Sequence, residues 1–194
     1  MDFADQKLMQ KAKRGDRPAF AELVEKYGDK IYSYLYRMVG DREDALDLAQ
    51  ETFLRIYSNL DNFSLDRPFR PWLYRIATNL AIDHLRKKRP IIYLDAPLYP
   101  DDEDSRFELA DNSIGPAEYY EQAELAAYLT QLIMNLPPIY RSVILLRHEQ
   151  DLSYQEIADT LKVPISTVKT RLFRAREALR LKLMEERVLW EAEY

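Results

Sequence analysis

Four basic side chains lie within eight positions near the end of this 194-residue chain, in the segment VPISTVKTRLFRAR at 163–176. Lysine and arginine bind phosphates and guanine edges, and small hydroxyl groups near a helix start reach bases or phosphates. Because Val168, Leu172 and Ala175 recur at helical spacing, they define an inward face and leave the polar residues outside. The segment therefore predicts a DNA-binding helix, with candidate contacts at Ser166, Thr167, Lys169, Thr170, Arg171, Arg174 and Arg176.

The residues before this segment predict a second, shorter helix. Ser153 and Glu156 have the spacing of a capping box, and the helix that they start is expected to end before Pro164, with Ser166 capping the next helix. Two short helices joined by a tight turn, the second one basic, are typical of a helix-turn-helix that enters the DNA major groove. An ordinary solvated basic face is the alternative.

A different mixture of side chains occupies FRPWLYRIATNLAIDHLRKKR at 69–89. Leu73, Ala77 and Leu80 predict the inward stripe of a helix from about Pro71 to Lys88, and aromatic, amide and basic residues recur elsewhere on it. Rings stack on unpaired bases while cations follow the backbone, so this surface suits single-stranded nucleic acid. Alternatively, Trp72 is a core anchor and the basic run offsets a helix dipole. The candidate residues are Phe69, Arg70, Trp72, Arg75, Asn79, Asp83, Arg86 and Lys87.

A third helix is predicted from about Glu43 to Ser58, with Asp44, Asp47, Glu51 and Arg55 opposite its apolar residues. An acid in the first turn complements the helix dipole, which accounts for Asp44 without any partner. Glu51 lies two turns in, so its charge favours a basic protein partner.

These segments belong to a chain that is expected to be all-α, with two small helical domains joined by an acidic flexible linker. Residues 1–94 carry 17 Lys or Arg against 14 Asp or Glu, a net +3, and residues 136–194 carry 10 against 9, a net +1. Residues 95–135 carry 1 against 10, a net −9. The acidity is therefore local, and it coincides with a proline-rich stretch that lacks helical spacing.

Several classes of function are not expected. The chain has no cysteine, which excludes disulfides, thiolate zinc sites and thiol nucleophiles. His84 and His148 are far apart, the four glycines form no phosphate loop, and DDED at 101–104 lacks calcium-loop spacing, so we expect no enzyme, metal or cofactor. The acidic N-terminal residues and the longest apolar run of five residues predict neither export nor membrane spanning.

The sequence resembles the extracytoplasmic-function (ECF) RNA polymerase sigma factors, and most of all their sigma-W type, which is associated with cell-envelope stress. The resemblance lies in DREDALDLAQETFLRIY at 41–57, in the 69–89 segment and in LPPIYRSVILLRHEQDLSYQEIADTLKVPISTVKTRLFRAREAL at 136–179. It implies region 2 at 1–91, an acidic linker at 92–119, region 4 at 120–187 and a tail at 188–194, the tail having no counterpart in the family.

The resemblance also implies a role for each surface. The 43–58 helix would bind the clamp helices of the largest polymerase subunit through Asp44, Asp47, Gln50, Glu51 and Arg55. The 69–89 segment would open the minus-10 element, and the helix from Thr167 would read the minus-35 element. The expected partners are core RNA polymerase, including its flap region, promoter DNA and an anti-sigma factor, in the cytoplasm. A free-standing helix-turn-helix repressor is the competing class, but it would not require the 69–89 surface or the linker.

Overall fold

The computed structural model describes residues 3–88 and 116–193, with side chains for 3–88 and 126–184. Within these residues the chain is helical and contains no strand, which confirms the all-α prediction. Most of the predicted linker, residues 92–115, lies outside the described residues, whereas 116–119 begin a helix. The helices are α1 Phe3–Lys13, α2 Arg17–Val39, α3 Arg42–Ser58, α4 Phe69–Lys88, α5 Pro116–Asn135, α6 Pro138–His148, α7 Tyr154–Leu161 and α8 Ile165–Glu193, with a single 3₁₀ turn at Leu60–Asn62.

The first helical domain packs α1, α3 and α4 around the long helix α2. Asp16 caps the start of α2 by accepting from the backbone N–H of Ala19 at 3.1 Å, and Gly40 ends it in the left-handed region at φ 82°. Only a residue without Cβ adopts that conformation at no steric cost. The chain can therefore turn sharply from α2 into α3.

The core of this domain is rich in aromatic residues. Tyr27, Tyr34, Phe69 and Tyr74 are fully buried, and their rings meet edge to face, with centroids 5.5 Å apart for Tyr27 and Phe69 and 5.3 Å apart for Tyr34 and Tyr74. Such pairs add about 0.5–1.5 kcal/mol beyond the area that they bury. Two of these rings belong to α4, so the packing fixes the rotation of α4 and the side that it turns to solvent.

The N-terminal helix α1, for which the sequence patterns gave no specific expectation, is joined to α2 through a buried carboxylate. Asp5 is 1% exposed and accepts hydrogen bonds from the Tyr27 hydroxyl and from the Lys26 ammonium, the latter at 2.7 Å. A buried carboxylate with two donors is satisfied, but it becomes costly if either donor is removed. This contact anchors α1 on the first domain.

The second helical domain consists of α5 to α8 around Val143, Leu145, Ile157, Val168 and Leu172. In both domains the buried apolar residues form one continuous cluster, so the domains are packed against each other. Helix α4 contacts α7, and α2 contacts α5 and α6.

Arg141 is a buried cation at the junction of the two domains, at 9% exposure. Its guanidinium donates to the carbonyl oxygens of Met134, Leu136 and Met38, at 3.0 Å for Leu136. These carbonyls lie where α5 and α2 end, and a cation there opposes the negative ends of both helix dipoles. Burial lowers the pKa of Arg141 to about 10, so the side chain remains charged at neutral pH.

Candidate nucleic-acid and polymerase interfaces

Helices α7 and α8 form the predicted helix-turn-helix. The capping box is present: Glu156 accepts from the backbone N–H of Ser153 at 2.9 Å, and Ser153 Oγ accepts from the backbone N–H of Glu156 at 3.3 Å. After Leu161 the chain turns at Lys162, which has φ 53° and takes the left-handed conformation usually given to glycine. The turn is therefore short, as a helix-turn-helix requires.

One detail of this prediction was wrong. Helix α8 begins at Ile165, and the N–H of Val168 donates to the carbonyl of Pro164 at 3.2 Å, so Ser166 lies inside the first turn and is not the cap. Proline suits the start of a helix, since its missing N–H would have no partner there. The start of α8 therefore lies upstream of the predicted one. Ser166 is exposed, so its hydroxyl still faces outward near the positive end of the helix dipole.

The basic face of α8 follows from the burial of its other side. Val168, Leu172 and Ala175 are at most 1% exposed. Lys169 is exposed, while Thr167, Thr170, Arg171 and Arg174 are half-buried along the same outer surface. The Thr170 hydroxyl donates to the carbonyl of Ser166 at 2.9 Å, so it is engaged with the helix backbone. The cations are thus the residues of this face best placed to bind DNA.

Arg176 differs from the other basic residues of α8. Its Nε is buried without a hydrogen-bond partner among the described residues, and its charge acts on His148 of α6. The pKa of His148 is lowered by burial first and by Arg176 and Arg147 next, which outweigh Asp151. Arg176 therefore lies towards α6, at the edge of the basic face.

Helix α4 carries the predicted single-strand surface. Asn79, Asp83, Arg86 and Lys87 are exposed, and Trp72 and Arg75 are half-buried. The Trp72 ring packs against Phe63, with centroids 4.7 Å apart, and helical spacing places Arg75 and Asn79 on the same side of α4 as Trp72. Since α4 is held by its buried side, these groups form one outward surface. Trp72 packs on the first domain and is also partly exposed to solvent, so its role in base stacking stays a prediction.

Two predicted members of this surface lie elsewhere. Phe69 is 2% exposed and packs against Tyr27 and Phe63, so it supports Trp72 and offers no ring to a base in this conformation. Arg70 points to the second domain, where it donates to the carbonyl of Gln150. The reason is helical geometry: Phe69 and Arg70 precede Leu73 of the inward stripe by four and three residues, so they lie only about 40° and 60° from it, whereas Trp72 lies about 100° away.

The outer side of α3 carries the predicted polymerase contacts. Asp47 and Gln50 are exposed. Glu51 and Arg55 form an ion pair at 2.7 Å, with both side chains about half exposed. The surface from Asp47 to Arg55 is therefore exposed enough for a partner to reach, although an exposed ion pair adds little to stability.

Asp44 is already engaged within the chain. Its carboxylate accepts from Lys88 at the end of α4 and lies 3.1 Å from Nε2 of His84. The hydrogen bond from Lys88 is the main reason that the pKa of Asp44 falls below its ordinary value. The residue therefore joins the start of α3 to the end of α4, in addition to its place beside the predicted polymerase surface.

Three apolar residues on α3 were missed by the sequence reasoning. Leu46, Leu54 and Tyr57 are 51%, 62% and 46% exposed and share the side that carries Gln50. Exposed leucines between acidic residues are typical of a protein interface, in which apolar side chains form the centre and charges form the rim. In the sequence, Leu54 and Tyr57 follow Leu46 by eight and eleven residues, which places all three on one side of a helix and away from its inward stripe. That spacing is the signal by which they could have been found.

No group of histidine, aspartate or glutamate residues within 3–88 and 116–193 is arranged to hold a metal ion. In the same part of the chain, every helix is too short or too polar to cross a membrane.

Comparison with known proteins assigns both domains. Residues 23–91 match the family model of sigma-70 region 2, and residues 126–179 match that of sigma-70 region 4. The ECF RNA polymerase sigma factor SigW of Bacillus subtilis is 43% identical over 186 residues, which are 95% of this chain and 100% of that protein.

Solved structures share the fold. CnrH, in complex with the cytosolic domain of CnrY, is 28% identical with a TM-score of 0.68, over 94% of this chain and 98% of that chain. RpoE of Bartonella quintana, in complex with the anti-sigma factor NepR, has a TM-score of 0.60 over 85% of this chain and 96% of that chain, and at 20% identity it shows the fold alone. The two matched regions, their order and the near full-length similarity to SigW establish that the chain belongs to the ECF RNA polymerase sigma factors.

Proposed function

We propose that this sigma factor divides its work among three surfaces: α3 binds the core polymerase, α4 opens and holds the minus-10 element, and α8 reads the minus-35 element. The observation that carries the proposal is that α4 and α8 both turn nucleic-acid-binding groups outward on one chain. A helix-turn-helix repressor would need α8 alone. The chain acts in this proposal as a specificity subunit, and it supplies no catalytic group to RNA synthesis.

The polymerase-binding surface is proposed to combine apolar and charged contacts. Leu46, Leu54 and Tyr57 would enter the buried centre of the interface, with Asp47 and Gln50 at its polar rim. A helical partner with basic residues fits this surface, as the clamp helices of the largest subunit do in this family. Glu51 and Arg55 would exchange part of their mutual pairing for contacts with the partner.

The minus-10 surface is proposed to consist of Trp72, Arg75, Asn79, Arg86 and Lys87. Stacking of one base on an aromatic ring contributes about 1–3 kcal/mol, and the flanking cations hold the backbone of the unpaired strand. The buried Phe69 is left out, and its contribution is to hold Trp72 in place.

The minus-35 surface is proposed to be the α8 face with Ser166, Thr167, Lys169, Arg171 and Arg174. Arginine in the major groove binds guanine through two parallel hydrogen bonds, while lysine and the helix N-terminus bind phosphates. Arg176 and Thr170 would have a lesser part, because one lies towards α6 and the other is hydrogen-bonded to its own helix.

Control by an anti-sigma factor, a role in the cell-envelope stress response and a cytoplasmic location are also proposed. RpoE of Bartonella quintana is bound by an anti-sigma factor, and its similarity in fold to this chain motivates the same form of control here. The location follows from the partner, since bacterial RNA polymerase works in the cytoplasm.

Run-off transcription with purified core polymerase and a library of promoter fragments tests the proposal. We expect the chain to direct initiation from a specific subset of fragments, with weak duplex binding when the polymerase is absent. Sequence-specific, tight duplex binding by the chain alone, without polymerase-dependent initiation, would identify a repressor instead.

Permanganate footprinting of the promoter, together with an assay of binding to core polymerase, separates strand opening from docking. Trp72→Ala is expected to reduce permanganate reactivity of the promoter bubble by about tenfold, if one stacked base is lost, while binding to core polymerase is unchanged. Phe3→Ala, which removes an exposed aromatic ring of α1, is the matched control. Equal loss of docking and opening in Trp72→Ala would mean that the domain has unfolded.

A further inference from the structure

The outer side of α1 and the turn that follows it carry a stripe of exposed cations. Residues 3–17 contain five Lys or Arg against two Asp, a net +3. Both aspartates serve the fold, because Asp5 is buried against Lys26 and Tyr27 and Asp16 caps α2. Four of the cations are exposed and form no ion pair or side-chain hydrogen bond with the described residues. We call these four the α1 stripe: Lys7, Lys11, Arg14 and Arg17.

The fold does not account for the charges of the α1 stripe. Lys7 and Lys11 are one helical turn apart and Arg14 follows three residues later, so like charges are neighbours, an arrangement that destabilises a helix. A basic residue in the last turn offsets the helix dipole, which accounts for Lys11 but not for Lys7. Arg17 lies in the first turn of α2, where the dipole disfavours a cation. An external anion is therefore the partner that would stabilise the stripe.

Nucleic acid fits the α1 stripe better than a protein does. Between residues 7 and 17 no large apolar side chain is exposed, in contrast to Leu46 and Leu54 on α3. Protein interfaces have an apolar centre, whereas interfaces with DNA are more polar and strongly basic. Phosphate binding requires no ring, so Phe3 at the start of α1 is not part of the stripe. The composition of the surface thus favours a phosphate backbone.

One loop joins the α1 stripe to the minus-10 surface. From the adjacent side of α1, Gln6 Nε2 donates to the carbonyl of Leu65 at 2.9 Å. Lys13 Nζ donates to the carbonyl of Phe63 at 2.6 Å. The ring of Phe63 packs against Trp72, with centroids 4.7 Å apart. A strand stacked on Trp72 would therefore leave α4 close to α1, and its next phosphates would come within reach of the stripe.

We infer that the α1 stripe binds the phosphate backbone of the unpaired promoter strand beyond the bases held at Trp72. The contact is independent of base sequence, since phosphates carry no sequence information. It extends the DNA-binding surface of the first domain past α4 and stabilises the opened strand. The inference rests on the proposed function of α4 for the path of the strand, and its test separates the two.

An NMR titration of the full chain with oligothymidylate, a single strand of uniform sequence, tests the contact. We expect the backbone amide resonances of residues 7–17 to shift together with the indole resonance of Trp72. Lys11→Gln combined with Arg14→Gln should weaken binding by about tenfold. The slope of log affinity against log salt concentration should become shallower by about 1.4, or about 0.7 for each lost phosphate contact. Arg180→Gln combined with Lys182→Gln removes two exposed cations from α8 and should leave the response of residues 7–17 unchanged.

The lifetime of the open promoter complex tests the role in transcription. With core polymerase and a promoter selected from the library, Lys11→Gln combined with Arg14→Gln should shorten this lifetime in the presence of heparin by about tenfold, while binding to core polymerase is unchanged. Urea unfolding should show that the variant is at least as stable as the unmodified chain, because the substitutions relieve repulsion between like charges.

The outcomes are separable. Unmoved resonances at residues 7–17, or an unchanged lifetime of the open complex, would overturn the inference. Larger shifts with polyglutamate than with oligothymidylate at equal charge would also overturn it, in favour of an acidic protein partner. If residues 7–17 respond to the strand and Trp72 does not, the proposed function of α4 is at fault and the α1 contact stands.

Discussion

At the scale of single residues, identical side chains have different tasks because burial differs. Arg141 is buried and holds three backbone carbonyls, Arg70 joins the domains, and Arg171 lies half-buried on the outer face of α8. The charge of each is the same, but only the third is placed for an external partner. Residue type alone therefore does not identify a DNA contact.

Arg171→Ala is expected to weaken binding of the polymerase complex to a promoter with an intact minus-35 element by about 1–3 kcal/mol, if the guanidinium binds a base. Promoter titrations by fluorescence anisotropy measure the loss. Arg180→Ala removes the same group from the same helix, where it is paired with Glu177, and serves as the control. Equal weakening by both variants would indicate a non-specific phosphate effect.

Asp44 gives a second prediction at this scale. The hydrogen bond from Lys88 holds the pKa of Asp44 below its ordinary value, so the stability that this contact contributes is present at neutral pH and is lost as the pH falls through the lowered pKa. Lys88→Met should raise the pKa of Asp44, as followed by the carboxyl carbon resonance in an NMR titration. Lys87→Met is the neighbouring control. An unchanged midpoint in Lys88→Met would show that Lys88 does not lower the pKa of Asp44.

At the scale of elements, the ends of helices determine where the DNA-binding groups lie. The capping box at Ser153 fixes the start of α7, and the left-handed Lys162 directs the chain into α8. The 29-residue helix α8 then carries its basic face away from the domain core. A shift of one residue at the start of α8 would rotate that face by about 100°.

Ser153→Ala should lower the free energy of unfolding by about 1 kcal/mol, because the N–H of Glu156 loses its acceptor. Ser166→Ala, in the first turn of α8 and not at its cap, should change it by less than about half that amount. Urea unfolding followed by circular dichroism measures both. A larger loss for Ser166→Ala would restore Ser166 as the cap.

At the scale of the whole molecule, the contact between the domains gives the stability of the fold a pH dependence. Burial raises the pKa of Glu149, and pairing with Arg37 offsets this only in part, so the folded state favours the protonated carboxyl. Tyr74 also lies at this contact, but burial raises its pKa to about 12, and it stays protonated at neutral pH. The contribution of Glu149 to the free energy of unfolding is therefore greatest below its ordinary pKa and is lost as the pH rises through the raised one.

The free energy of unfolding of the unmodified chain should accordingly fall, relative to that of Glu149→Gln, as the pH rises from about 4 towards 7. Glu149→Gln keeps the shape of the side chain and cannot ionise, so urea unfolding of this variant should lack the pH dependence that Glu149 contributes. If Glu149→Gln retains the full pH response, another group is responsible.

The sequence by itself determined the helical fold, the order of the two regions and most of the faces. Helical spacing of apolar residues located α3, α4, α7 and α8, because a helix in water must bury one side. The capping box was readable since it depends on residues three positions apart. The basic face of α8 was readable for the same local reason.

Only the tertiary structure decided which candidates are free to act. Phe69 is enclosed by Tyr27 and Phe63, and Arg70 is bound to Gln150, 80 positions away. The exposed Leu46 and Leu54 and the buried Arg141 were also decided at this level. Periodicity states which residues share a side of one helix, but contacts between helices decide what covers that side. That step depends on long-range packing, for which a single sequence carries no local signal.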